Sequence, residues 1–276
     1  MKRIQTRAIG SALWALCLAT PVLLLAATSA HAALINRGGG MIYDTELNIT
    51  WLQDWNHAKT SGYSAGGVAP GSVLDTNTIW TDGRMGWDAA NSWANNLVHG
   101  GFDDWRLPTM ADTGAAGCDF SYAGGTDCGY NVQTRSGSTV YSELAHLWYE
   151  TLGNLASCAP GDATCAGGDP QSGWGLNNTG PFTNMQHPIS LAQDQGGYWL
   201  GLQHPTTPFS TPKAWAFGVG AGSQVPIAML DPMYAVAVRH GDVTSAVPEP
   251  QTLAMVLLAL AVTVLTQRKR PFQAAA

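Results

Sequence analysis

GGFDDWRLPT, residues 100–109, decides the fold, because a helical pattern ends at its glycines and a short strand pattern follows. Gly100 and Gly101 stop any helix arriving from upstream. Pro108 biases Leu107 to an extended conformation, and Trp105 and Leu107 alternate with Arg106 as in a short strand. Asp103, Asp104 and Arg106 place two carboxylates and a guanidinium within four positions. Two readings stand side by side. Arg106 pairs with a carboxylate in the planar, two-pronged manner of guanidinium and pins the segment on a sheet. Alternatively, Asp103 or Asp104 offers hard oxygen ligands to Ca²⁺, although the D-x-D-x-D spacing of a calcium loop is missing.

Upstream, GWDAANSWANNLVHGG (86–101) sets Trp87, Ala90, Ala94 and Leu97 on one side at helical spacing. Downstream, STVYSELAHLWYETLGN (138–154) does the same with Leu144, Leu147, Trp148 and Leu152, and Gly153 suits a left-handed C-cap. GGMIYDTELNITWLQDWN (39–56) reads as two short strands around a turn at Asp44 to Asn48. The polar, Gly-rich run from His57 to Trp80 reads as a surface loop. KAWAFGVG (213–220) and MYAVAVRHG (233–241) have a period of two, with Trp215, Phe217, Val219 and Tyr234, Val236, Val238 on the face to be buried. The expected class is α+β: a mostly antiparallel sheet, two main helices and long loops.

Those loops hold cysteines. Cys17 lies in the N-terminal apolar run, leaving Cys118, Cys128, Cys158 and Cys165, an even number suited to two disulfides in an exported chain. The simplest pairing is Cys118 with Cys128 and Cys158 with Cys165, although four cysteines allow three connectivities. Neither pair has C-x₂-C spacing and no histidine pair stands at the usual offset, which argues against a zinc site.

Both chain ends carry addresses. Lys2, Arg3 and Arg7 precede an apolar run from Ala12 to Ala27 and then Ala30-His31-Ala32, the pattern of a signal peptide of residues 1–32 cut by signal peptidase before Ala33. At the other end, Val247-Pro248-Glu249-Pro250 is followed by apolar residues Leu253 to Leu265 and by Arg268, Lys269 and Arg270. That run covers only about 20 Å as a helix, short of a bilayer core of about 30 Å. The three elements in this order, over residues 245–276 with a short transmembrane segment at 252–266, resemble the PEP-CTERM sorting signal of Gram-negative bacteria that make exopolysaccharide. The resemblance implies transient insertion in the inner membrane, removal of the tail by an exosortase, and a mature protein at the cell surface or in the extracellular matrix.

Between Ala33 and Ala246 stand seven basic and eighteen acidic residues, a balance of −11. Such a domain repels nucleic acid and anionic membrane surfaces. Histidines are scattered and no serine or cysteine lies in a G-x-S-x-G elbow, so the residues present no case for catalysis and call for no cofactor, with Ca²⁺ left open. The ten tryptophans of this region are more informative, since an exposed indole stacks on the C–H face of a sugar ring. Core packing is the ordinary use of such residues; Trp55, Trp80 and Trp174, set among Asp, Asn and Gly, are the candidates for exposure and binding, with Asp103 and Asp104 as further binding candidates.

The order YDTELNITWLQD, WDAANSWANNL, GGFDDWRLPT, YWLGLQ, AWAFGVGAG and YAVAVRHGD over residues 33–244 resembles the Lcl C-terminal domain family, a family of unknown function with a central "GG(Y/F).DWRLP". Trp105, Arg106, Leu107 and Pro108 carry the match. WRLPT is also similar to a stretch of the formylglycine-generating enzymes, whose fold is related to C-type lectins; the helix that follows it there is missing, and no positions match their catalytic cysteines. These resemblances imply a C-type-lectin-like domain and, with the sorting signal, non-catalytic binding of exopolysaccharide. The alternatives are a structural matrix protein without glycan specificity and a formylglycine-generating-type enzyme.

Overall fold

A computed structural model describes residues 33–71, 75–114, 117–119, 124, 126–162, 169–186, 197–205 and 211–243. The signal peptide, the sorting signal, its apolar segment and Cys165 lie outside them. Among the described residues no helix is long and apolar enough to cross a membrane.

The chain is α+β with mainly antiparallel pairing. Strands β1 (Leu34–Gly38), β2 (Met41–Asp44) and β3 (Ile49–Leu52) form a meander. The β2–β3 turn is where the sequence puts it: Asp44 pairs with Ile49, its Oδ1 accepts from the amides of Glu46 and Leu47, and Asn48 takes a left-handed φ of 52°. After β3 come the one-turn helix α1 (His57–Thr60) and α2 (Trp87–Asn95). Helix α2 buries Trp87, Ala89, Ala90, Trp93 and Ala94, the face its spacing predicts. Short strands β4 (Gly129–Tyr130), β5 (Arg135–Ser136) and β6 (Thr139–Val140) lead into α3 (Glu143–His146). Strands β7 (Tyr198–His204), β8 (Lys213–Gly218), β9 (Ser223–Ala228) and β10 (Val238–His240) complete the chain. One sheet has the order β1-β2-β3-β10, a second β4-β9-β8-β7, and β5 and β6 form a separate pair.

The WRLP segment joins the two four-stranded sheets. Arg106 and Val238 of β10 exchange both backbone hydrogen bonds at 2.8 Å, and Gly201 of β7 donates to the Pro108 carbonyl at 2.8 Å. Trp105 and Leu107 point into the core at 2% and 1% exposure, with Arg106 on the opposite side, as the alternation requires.

Three sequence expectations change. Strand β8 is buried on both faces from Ala214 onward, so its alternation marks side-chain size and not an inside and an outside. Of MYAVAVRHG only Val238–His240 form a ladder, and Tyr234 to Val238 are buried throughout because both sheets cover them. The run from His57 to Trp80 is not a bare surface loop: it contains α1 and a 3₁₀ turn at Tyr63–Gly66, and buries Ala58, Ser64 and Trp80.

The second predicted helix is present with an altered end. Ser142 caps α3, accepting from the Ala145 amide at 3.2 Å, and its hydroxyl donates to Gln224 on β9 at 2.7 Å. Leu147–Thr151 then continue as a π-turn, closed by the Leu152 amide on the Leu147 carbonyl at 2.9 Å. A π-turn widens the helix by one residue and shifts the side chains that follow.

Candidate functional site

The two carboxylates of the central motif have separate fates. Asp104 is held in a two-pronged pair with Arg239 at 2.7 and 3.0 Å, and that guanidinium lies 4.0 Å over the Phe102 ring. The hydrogen bond from Arg239 holds the Asp104 carboxyl below its ordinary pKa. Both oxygens of Asp104 therefore serve the fold. Asp103 is exposed and makes no ion pair among the described residues. Arg106 does pair with a carboxylate, but the partner is Glu143, 37 residues away, and neither aspartate. No three His, Cys, Asp or Glu side chains among the described residues converge to hold a metal ion.

The tryptophan expectation is corrected at two positions of three. Trp55 is fully buried, stacked on Trp51 at 5.9 Å and edge-on to Tyr198 at 4.9 Å. Trp80 is 1% exposed. The polar neighbours that suggested exposure are used locally: Asp54 accepts from the Asn56 amide and the Thr60 hydroxyl, and Asp82 pairs with Arg84. Nine of the ten tryptophans between Ala33 and Val243 are buried, and Trp174 alone is half-buried.

Trp174 stands beside a cleft. Its amide donates to the carbonyl of Gln171, and its backbone bridges to Leu155, an apolar side chain that is 45% exposed. Gln171 and Leu155 line a cleft of about 330 Å³, together with Asn131, Thr134, Tyr149 and Glu150. The π-turn of α3 carries Tyr149 and Glu150 into this lining. Nothing in composition or periodicity marks the place, because its walls come from four separate stretches of chain.

Nδ2 of Asn131 donates to the Cys158 carbonyl at 2.9 Å, and Nε2 of Gln171 to the Ala156 carbonyl at 2.8 Å. The Tyr149 hydroxyl donates to the Gly222 carbonyl and accepts from the Asn131 amide at 3.0 Å, and burial pushes its pKa up. Thr134 donates to one oxygen of Glu150 at 3.3 Å. Each side-chain amide thus gives one of its two N–H groups to backbone. The side-chain carbonyls of Asn131 and Gln171 and the second oxygen of Glu150 have no hydrogen bond among the described residues. What the cleft offers a ligand is a carboxylate and two side-chain amides beside apolar surface.

Disulfides brace its surroundings. Cys118 and Cys128 are joined as expected across ten residues, and Cys158, 3% exposed, is also disulfide-bonded. Each of the five arginines between Ala33 and Val243 is matched to a carboxylate: Arg37 to Asp242, Arg84 to Asp82, Arg106 to Glu143, Arg135 to Glu46 and Arg239 to Asp104. No family model, curated protein or solved structure matches the chain.

Proposed function

We propose that this is an exported, exosortase-processed protein of the cell surface or extracellular matrix, and that its C-type-lectin-like domain binds exopolysaccharide without catalysing a reaction. The observation that carries the binding reading is the cleft beside Trp174: oxygens of Asn131, Gln171 and Glu150 that have no hydrogen bond among the described residues stand next to the exposed Leu155 and a half-buried indole. Sugar rings present hydroxyl donors around an apolar C–H face, and such a mixed wall meets both. Export and tail removal rest on the two terminal stretches, Lys2 to Ala32 and Val247 to Arg270. The lectin-like reading rests on the WRLP resemblance, and is supported by the way this segment joins two antiparallel sheets.

Two measurements test this. Intact mass of the protein recovered from envelope and medium should lack the residues before Ala33 and a tail from near Pro250; retention of Leu253 to Arg270 would make that segment a standing anchor. In affinity electrophoresis through the producer's own polysaccharide, the protein should be retarded, and Trp174→Ala with Leu155→Ala should remove the retardation while leaving the fold intact. A folded protein that migrates unretarded would favour a purely structural matrix role.

A further inference from the structure

We propose that the cleft selects a polysaccharide bearing free amino groups, a partly deacetylated hexosamine polymer, and that Glu150 is the residue that recognises the ammonium. The inference rests on the reading of this cleft as the binding site. Three observations narrow its ligand to a cation.

The first is the lining itself. Among the described lining residues Glu150 alone is charged; it is exposed, and one of its carboxylate oxygens has no hydrogen bond among the described residues. The second is the set of oxygens left over. Asn131 and Gln171 each give one of their two N–H groups to a backbone carbonyl, and their side-chain carbonyl oxygens have no hydrogen bond among the described residues. An ammonium carries three donors and no acceptor, and these oxygens stand with the Glu150 carboxylate to accept them. A uronate or sulfate brings negative charge, and would meet the Glu150 carboxylate with no cation among the described lining residues.

The third is the charge of the domain around the cleft. All five arginines are in ion pairs with carboxylates, so they are not available to an anionic ligand. Arg135, close to the cleft residue Thr134 in sequence, is bound to Glu46 at 2.6 Å and to the Gly137 carbonyl at 2.8 Å. With seven basic and eighteen acidic residues between Ala33 and Ala246, the surface left over is anionic, and it draws a polycation toward the site.

Calorimetric titration of the protein recovered from its producer, with matched hexamers of glucosamine and N-acetylglucosamine and with a polyuronate, tests the selectivity at about pH 6, below the ordinary amine range. The expected result is that the glucosamine hexamer binds tightest and the polyuronate not at all. Glu150→Gln, which keeps the side-chain shape, should weaken the glucosamine hexamer about fivefold, as for an exposed ion pair, and leave the acetylated one unchanged. Added salt should erase the difference between the two hexamers. Equal binding of both hexamers with no effect of Glu150→Gln would overturn the selectivity while leaving the cleft reading standing, provided Leu155→Ala still weakens both. A protein that binds none of the three would remove the cleft reading as well.

Discussion

Arg106 and Glu143 meet as a two-pronged pair, Nη1 on Oε2 and Nη2 on Oε1, both at 2.8 Å. Oε2 also accepts from the Thr109 amide at 2.7 Å, and the Glu143 amide returns a bond to the Thr109 carbonyl at 3.0 Å. The pair thereby ties the segment between the sheets to the first turn of α3, which leads into the cleft. Its Glu143 side chain is 10% exposed and its Arg106 side chain 31%, so its loss falls below the range for a fully buried pair. Glu143→Gln should cost about 2–3 kcal/mol. Thermal unfolding followed by circular dichroism should show a midpoint lower by about 5–10 °C. An unchanged midpoint would mean that backbone pairing alone holds the segment.

Trp55 and Trp174 should separate stability from binding. Trp55→Ala empties a fully buried site between Trp51, Phe182 and Tyr198 and should cost about 3–5 kcal/mol in urea unfolding. Trp174→Ala exposes little core and should cost under about 1.5 kcal/mol, with loss of polysaccharide retardation. The reverse assignment of stability and binding would move the ligand site away from this cleft.

The helices and the first hairpin were legible because their signals are local. Trp87, Ala90 and Ala94 repeat at helical spacing, and Asp44 and Asn48 mark a tight turn. Trp55 and Trp80 were misread because polar neighbours do not imply exposure: Asp54 and Asp82 bind nearby turns and side chains, which lets the indoles turn inward. The partners of Arg106 and Asp104 were not legible either, since Glu143 and Arg239 stand 37 and 135 positions away. The cleft is further from any local signal, for it needs the π-turn at Leu147–Thr151 and side chains from Asn131 to Gln171.

Asp44 gives a pH dependence of definite sign. It is fully buried, Oδ2 has no hydrogen bond of ordinary geometry among the described residues, and burial raises its pKa above the ordinary carboxyl value despite two amide hydrogen bonds to Oδ1. A folded-state pKa above the unfolded one means that its contribution is fully present below about pH 4 and is lost as pH rises through the folded pKa. Asn at this position keeps the Oδ1 acceptor for the turn and cannot ionise. Asp44→Asn should therefore be more stable than the parent at neutral pH and indistinguishable from it near pH 3.5, the advantage growing in between. Urea midpoints across that range check it; an advantage largest in acid would reverse the sign and show that the ionised carboxylate stabilises the fold.

Gly222 packs against the π-turn that carries Tyr149 and Glu150 into the cleft. Its φ is +67°, its carbonyl accepts from the Tyr149 hydroxyl, and an added Cβ would lie 2.4 Å from the Trp148 ring. Gly222→Ala meets backbone strain and a rigid indole together, and should cost about 2–4 kcal/mol. Relief requires Trp148 and Tyr149 to move, and both belong to the π-turn that also carries Glu150. The expected outcome is a lower unfolding midpoint together with weaker polysaccharide binding at temperatures where the variant is still folded. Full binding in the destabilised variant would show that the positions of Tyr149 and Glu150 do not matter to the ligand, and would shift the contact to the rim formed by Leu155 and Trp174.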